Sequence, residues 1–146
     1  MNWRPMLWIL PVVLSGCSPA NPPSQAEVEK FLHQYIGEPD VSKGMALISR
    51  EPTVSSIAYG KINQGWQTIR AAYEETAGSP IKATIGTVDV TAIGPDTSLA
   101  IAPMKLSQAV IGRTLVMDAQ GAMTVIVKRT PDGLRLIHEH YSLRPI

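Results

Sequence analysis

Two histidines near the C-terminus, spaced as His138-x-His140, are the side chains of this chain best suited to move a proton near neutral pH. On an extended segment alternate residues share a side. Leu134, Leu136, His138, His140 and Ser142 then form one face, and Arg135, Ile137, Glu139 and Tyr141 the other. The first set continues the apolar residues and is the expected inward face. There His138 and His140 serve either as a general base in a pocket or as structural groups that tie neighbouring strands through ring N–H bonds. A His-x-His pair also suits a metal, but a catalytic zinc takes three protein ligands. The only other histidine, His33, falls off the apolar stripe of its helix. No metal and no cofactor are expected. Trp66 and Arg70 lie four apart; Trp66 is expected to pack a helix on a sheet, and Arg70 either reaches an acidic ligand or pairs with Glu74 at i+4. No Ser/His/Asp order, no phosphate-cradling glycine loop and no cysteine nucleophile is present, and Gly60 and Gly65 read as turn residues.

These groups need a scaffold, and the pattern supplies one. Ser24-Gln25-Ala26-Glu27 has the form of a capping box. Val28, Phe31, Leu32, Tyr35 and Ile36 follow at spacings of three and four, one apolar stripe of a helix that Gly37 and Pro39 end. Val41 to Ser49 reads as a shorter helix with Met45 and Ile48 inward. Thr53 to Tyr59 is strand-like, Gly60 to Gly65 a turn region, and Trp66, Ile69 and Tyr73 mark a third helix from Trp66 to Thr76. From there the period shortens. Ile81 to Ile93 reads as one strand, and Ser98 to Leu106 as a second, weakened by Pro103 in the manner of an edge or bulge. Val110 to Asp118 reads as a third. Ala119-Gln120-Gly121 then turns into Ala122 to Arg129, and Thr130-Pro131-Asp132-Gly133 is a hairpin signal into Leu134 to Leu143. Helices followed by a run of strands make an α+β layout, with N-terminal helices packed on one face of a curved antiparallel sheet.

The chain has 146 residues, enough for one domain and a sizeable core. Without Arg4 and the rest of the first 16 residues it carries 12 basic and 12 acidic side chains, with no basic block, so nucleic acid is not an expected partner. Cys17 is the single cysteine, which excludes an intramolecular disulfide and a Cys-rich metal site. Its neighbourhood gives it another use. A short segment with Arg4 precedes an apolar run from Met6 to Leu14, too short for the roughly 20 residues a spanning helix needs and suited to a signal peptide. Leu14-Ser15-Gly16-Cys17 resembles the lipobox of bacterial lipoproteins. That resemblance implies that Cys17 receives a diacylglycerol, that residues 1–16 are removed, and that two or more acyl chains anchor the product stably. Ser18, in place of Asp, resembles an outer-membrane sorting signal, so the expected address is the cell envelope, on the outer membrane facing the periplasm in a Gram-negative cell. Residues 17–24, with three prolines, read as a tether, and 25–146 as the domain.

The domain resembles the NTF2-like superfamily, and within it the SnoaL-like group. The resemblance is carried by Gly65-Trp66-Gln67-Thr68-Ile69-Arg70 and by Ala122 to Ser142, ending Asp132-Gly133-Leu134-Arg135-Leu136-Ile137-His138-Glu139-His140-Tyr141-Ser142. Members often end with Gly-Trp-x-Ile-x-His-x-His-x-Ser; here Leu134 replaces the aromatic. The resemblance implies a cone whose cavity takes a small apolar ligand, with Tyr35, Trp66, His138, His140 and Ser142 as its lining, and a homodimer formed through the outer face of the sheet. Some members are isomerases or cyclases, and those that isomerise steroids use a tyrosine from the first helix with two acids from the sheet. Tyr35 matches the tyrosine and Asp89 is the best acid candidate, while the second acid has no counterpart. Many members only bind or scaffold, so the expected function is a membrane-tethered binding or accessory module, with an isomerase- or cyclase-type enzyme using a pocket histidine and Tyr35 as the alternative.

Overall fold

A computed structural model describes residues 21–77, 81–109 and 116–146. The lipobox and Cys17 lie outside them, as does most of the strand expected from Val110. In chain order the elements are α1 (Gln25–Gly37), α2 (Val41–Ala46), β1 (Ser55–Ala58), β2 (Lys61–Gln64), α3 (Trp66–Thr76), β3 (Ile81–Ile85), β4 (Asp89–Ala92), β5 (Thr97–Ala109), β6 (Val116–Thr130) and β7 (Gly133–Pro145). The seven strands form one sheet in the order β2-β1-β7-β6-β5-β3, with β4 also paired to β5. All pairs are antiparallel except β1 with β7, so the curved sheet is mixed. Its concave face carries the helices: α1 lies over β3 and β4, and α3 over β1 and β2.

The helices form as their patterns predict. At the start of α1 the Ser24 amide donates to the Glu27 carboxylate at 2.9 Å, and Val28, Phe31, Leu32 and Tyr35 are its buried residues. In α2 the Asp40 side chain accepts from the amides of Ser42 and Lys43, closing the first turn. α2 ends earlier than expected, yet Met45 and Ile48 are both buried. Ile69 is the buried centre of α3, flanked by half-buried Trp66 and Tyr73. With Met123, Val125, Val127 and Leu136 from β6 and β7 these side chains make one core. Each large aliphatic in it is worth about 1.5–3 kcal/mol of burial.

The sheet departs from expectation at four places, each with a local cause. Tyr59 (φ 51°) and Gly60 (φ 77°) are both left-handed, which builds a two-residue turn, so the region from Gly60 holds a hairpin and the polar strand β2. The segment from Ile81 to Ile93 breaks at Gly86–Val88 into β3 and β4. Pro103 lies opposite that break in a strand with neighbours on both sides. There Gly86 donates its N–H to the Pro103 carbonyl (2.9 Å), and the partner strand is interrupted where proline lacks a donor of its own. Ala119–Gly121 is no turn: β6 runs through it, and a Cβ on Gly121 would lie 1.9 Å from the Ser142 carbonyl oxygen. Glycine is there so that β7 can approach, not to reverse the chain. Finally, β6 and β7 shift register: Ile126 pairs with His138 and Val127 with Leu136, leaving Ile137 unpaired as a bulge.

Candidate functional site

The bulge at Ile137 decides what faces the interior. A strand that gains one residue reverses its alternation from that point. Leu136 points inward before it; Glu139 and Tyr141 point inward after it, and His138, His140 and Ser142 turn to the outer face. The expected inward face of β7 is therefore correct only up to Leu136. His140 and Ser142 are exposed, and His138 is half-buried with its Nδ1 2.8 Å from the Ser55 hydroxyl of β1. Burial, and then the neighbouring His140, hold the His138 imidazole below its usual range.

Inside, Glu139 is fully buried and is the only charged side chain so placed among the described residues. Three tyrosines converge on it from three elements. Tyr35 of α1 donates to Oε2 at 2.8 Å, Tyr141 of β7 donates to the same oxygen at 2.7 Å, and Tyr73 of α3 donates to Oε1 at 2.9 Å. The Tyr35 and Tyr73 hydroxyls also touch each other. An unpaired carboxylate would be very costly at this depth. Hydrogen bonds to a charged group return about 1.5–3 kcal/mol each, so three of them make its burial tolerable. Burial first, and then the nearby Glu139, push all three phenols well above the usual tyrosine range. Tyr35 is held further by a parallel stack on Phe31, ring centroids 6.3 Å apart. On the same face of the sheet, in register with Ser56 of β1, Asn63 of β2 is buried with a side-chain carbonyl that has no protein partner.

Of the residues singled out in the sequence, Tyr35 alone joins this cluster. Trp66 is half-buried some way off: its indole N–H donates to the Met45 carbonyl at 3.1 Å, and the guanidinium groups of Arg50 and Arg70 lie 4.8 and 5.5 Å from its ring centroid. Arg70 also makes the expected pair with Glu74, at 2.7 Å. Asp89 is exposed on the outer face, paired in register with Ile101. The sequence pattern does not single out Glu139, Tyr73 and Tyr141 as site residues. Tyr73 lies on the helical stripe and carries a usable signal; the other two are hidden by the bulge. Among the described residues no three His, Cys, Asp or Glu side chains gather as a metal ion would require.

As a chemical arrangement this is a closed network. A carboxylate with both oxygens engaged and no exposed surface is poorly placed to take a proton from a substrate. The outer face is different: His138, His140, Ile57, Leu99, Ile101 and Ile126 lie together across β1, β7, β6 and β5. Ile101 is 45% exposed, and Ile57, Leu99 and Ile126 are half-buried.

No family model and no curated protein matches the sequence. Solved structures do. An NTF2-like superfamily protein from Salmonella enterica serovar Typhimurium is 19% identical, with a TM-score of 0.68 over 81% of this chain and 86% of that one. A candidate dehydratase of the NTF2-like family from Streptomyces avermitilis is 18% identical, with a TM-score of 0.69 over 83% and 95%. A ketosteroid isomerase-like protein from Erwinia carotovora atroseptica is 12% identical, with a TM-score of 0.67 over 84% and 95%. At such identities the likeness speaks for architecture, and together with the helices on an open curved sheet it establishes that this chain has the NTF2-like fold.

Proposed function

We propose that this protein is an extracytoplasmic lipoprotein, anchored through acyl chains on Cys17 to the outer membrane of a Gram-negative cell, whose NTF2-like domain acts as a binding or accessory module. The lipobox Leu14-Ser15-Gly16-Cys17 supports the anchor. Among the described residues no helix is long and apolar enough to cross a membrane. The observation that carries the accessory reading is the reversal of β7. It leaves the interior acid bonded to protein hydroxyls and gathers two imidazoles with Ile57, Leu99, Ile101 and Ile126 on the outer face. A second copy is the partner we assign to that face. Light scattering on the chain from residue 17 carrying Cys17→Ser should give a dimer mass, and Ile101→Glu should shift it to monomer. A monomer in the parent chain refutes this surface. Cys17→Ser in the full precursor should block cleavage and palmitate labelling.

A second reading has one observation in its favour. Tyr35 and Glu139 form the tyrosine–acid contact that an isomerase-type site would use, and a ketosteroid isomerase-like structure shares the fold. That reading needs a second inward acid. Asp89, the best acid candidate in the sequence, faces outward. Turnover of a steroid or dienone substrate that is abolished by Glu139→Gln would favour the enzyme.

A further inference from the structure

The segment before α1 is fastened to the sheet. Ser98, fully buried on β5, donates its hydroxyl to the Pro23 carbonyl at 2.8 Å. Arg129 of β6 donates Nε–H to the Asn21 carbonyl at 3.0 Å, and its Nη2 donates to both oxygens of Glu27 at 2.9 and 2.8 Å. The Glu27 carboxyl is lowered to about 2, chiefly by Arg129, so this clamp keeps its charge throughout the physiological range. The Arg129 amide in turn donates to the Asp96 carbonyl at 2.7 Å, so the clamp sits where two turns meet, Gly94–Asp96 and Pro131–Asp132. The chain therefore leaves the domain at one end of its long strands.

Covalent geometry limits how far the acylated cysteine can lie from this exit. Four peptide links separate Cys17 from Asn21, and at no more than about 3.6 Å per residue they reach roughly 14 Å. The opposite end of the sheet, where Lys105, Gln120 and Arg144 lie side by side, is nine residues along β6 from Arg129, about 30 Å away. We infer that the end of the domain formed by the Gly94–Asp96 and Pro131–Asp132 turns is seated against the lipid surface, with the strands standing away from it and the Lys105–Arg144 end farthest out. The inference rests on the lipid anchor proposed above. Charge does not produce this seating: Arg129 is spent on Glu27, Lys128 on Glu51 at 2.9 Å, and both turns carry an aspartate. A short tether from a clamped exit does. It also turns the outer sheet face sideways, toward a neighbouring anchored copy.

The test uses the lipidated chain purified from membranes and placed in phosphatidylcholine vesicles with nitroxide headgroups. In that chain the Cys17 thiol is consumed by its thioether, so an introduced cysteine is the single reactive thiol. A fluorophore at Asp132→Cys should be quenched several-fold more than one at Lys105→Cys, with or without anionic lipid. In Ser98→Ala/Arg129→Ala the exit moves to Ser24 and the difference should shrink, circular dichroism confirming the fold. Equal quenching at the two sites, or stronger quenching at Lys105→Cys, overturns the inference while leaving the anchor intact. If maleimide labelling of the parent chain shows a free Cys17 thiol, the anchor fails and the inference falls with it.

Discussion

Glu139→Gln and Glu139→Leu test the interior cluster by counting its protons. Four oxygen–oxygen contacts link Glu139, Tyr35, Tyr73 and Tyr141. A carboxylate contributes no proton, so three hydroxyl protons serve four contacts. Glutamine supplies the fourth: its amide can donate to the Tyr73 oxygen, Tyr73 to Tyr35, and Tyr35 and Tyr141 to the amide oxygen. It also removes a buried charge. Glu139→Gln should therefore stay within about 1 kcal/mol of the parent. Leucine keeps the volume but offers no acceptor. Tyr35 and Tyr73 can still bond to each other, but the other two hydroxyl protons lose their acceptor. At about 1–3 kcal/mol for each, Glu139→Leu should lose about 2–6 kcal/mol. That is a large share of a domain stability of about 5–15 kcal/mol. Urea unfolding followed by Trp66 emission reads both, since Trp3 and Trp8 lie in the segment expected to be removed. If glutamine costs as much as leucine, the negative charge is itself required, and the closed-network account of this site is wrong.

Three further expectations come from the geometry. Gly121→Ala should destabilise by about 3 kcal/mol, because its Cβ meets the Ser142 backbone oxygen at 1.9 Å and only strand separation relieves the clash; an unchanged urea midpoint would refute the close approach. Alkali should unfold the protein: the three clustered tyrosines keep their protons in the fold above the usual value of 10.0, so their contribution is intact below pH 10 and is lost as pH rises further, and absorbance at the phenolate band should rise together with unfolding. Asn63→Val should raise stability by about 1 kcal/mol by removing a buried carbonyl that lacks a protein partner, unless a bound polar group satisfies it, in which case calorimetry will show a loss.

The helices are legible in the sequence because their signals are local. Ser24 with Glu27, the stripe from Val28 to Tyr35, and the Trp66–Ile69–Tyr73 spacing each lie within a few turns of chain, and the structure uses them as they stand. The hairpin at Thr130–Gly133 is equally local. The features that escape pattern depend on partners distant in sequence. Gly121 resembles a turn until Ser142 is known to press on it, and Pro103 resembles an edge residue until the break at Gly86–Val88 is set opposite. Pairing of β1 with β7, parallel and some 80 residues apart, leaves no mark in either segment. Ile137 is the clearest instance: nothing in Leu136-Ile137-His138 announces a bulge, yet the contents of the interior hang on it. The fold is thus readable from pattern, and the site is not.

The bulge carries an evolutionary consequence. Were the bulge smoothed out, with Ile137 taking the place opposite Ile126, the rest of β7 would slip by one residue against β6 and the two faces would exchange from His138 onward. An acid-and-phenol interior would become one lined with imidazoles, and a carboxylate would move out to the surface. A lineage built on this scaffold can therefore trade one kind of interior chemistry for another by losing this one bulge, with the helices and the other six strands left in place.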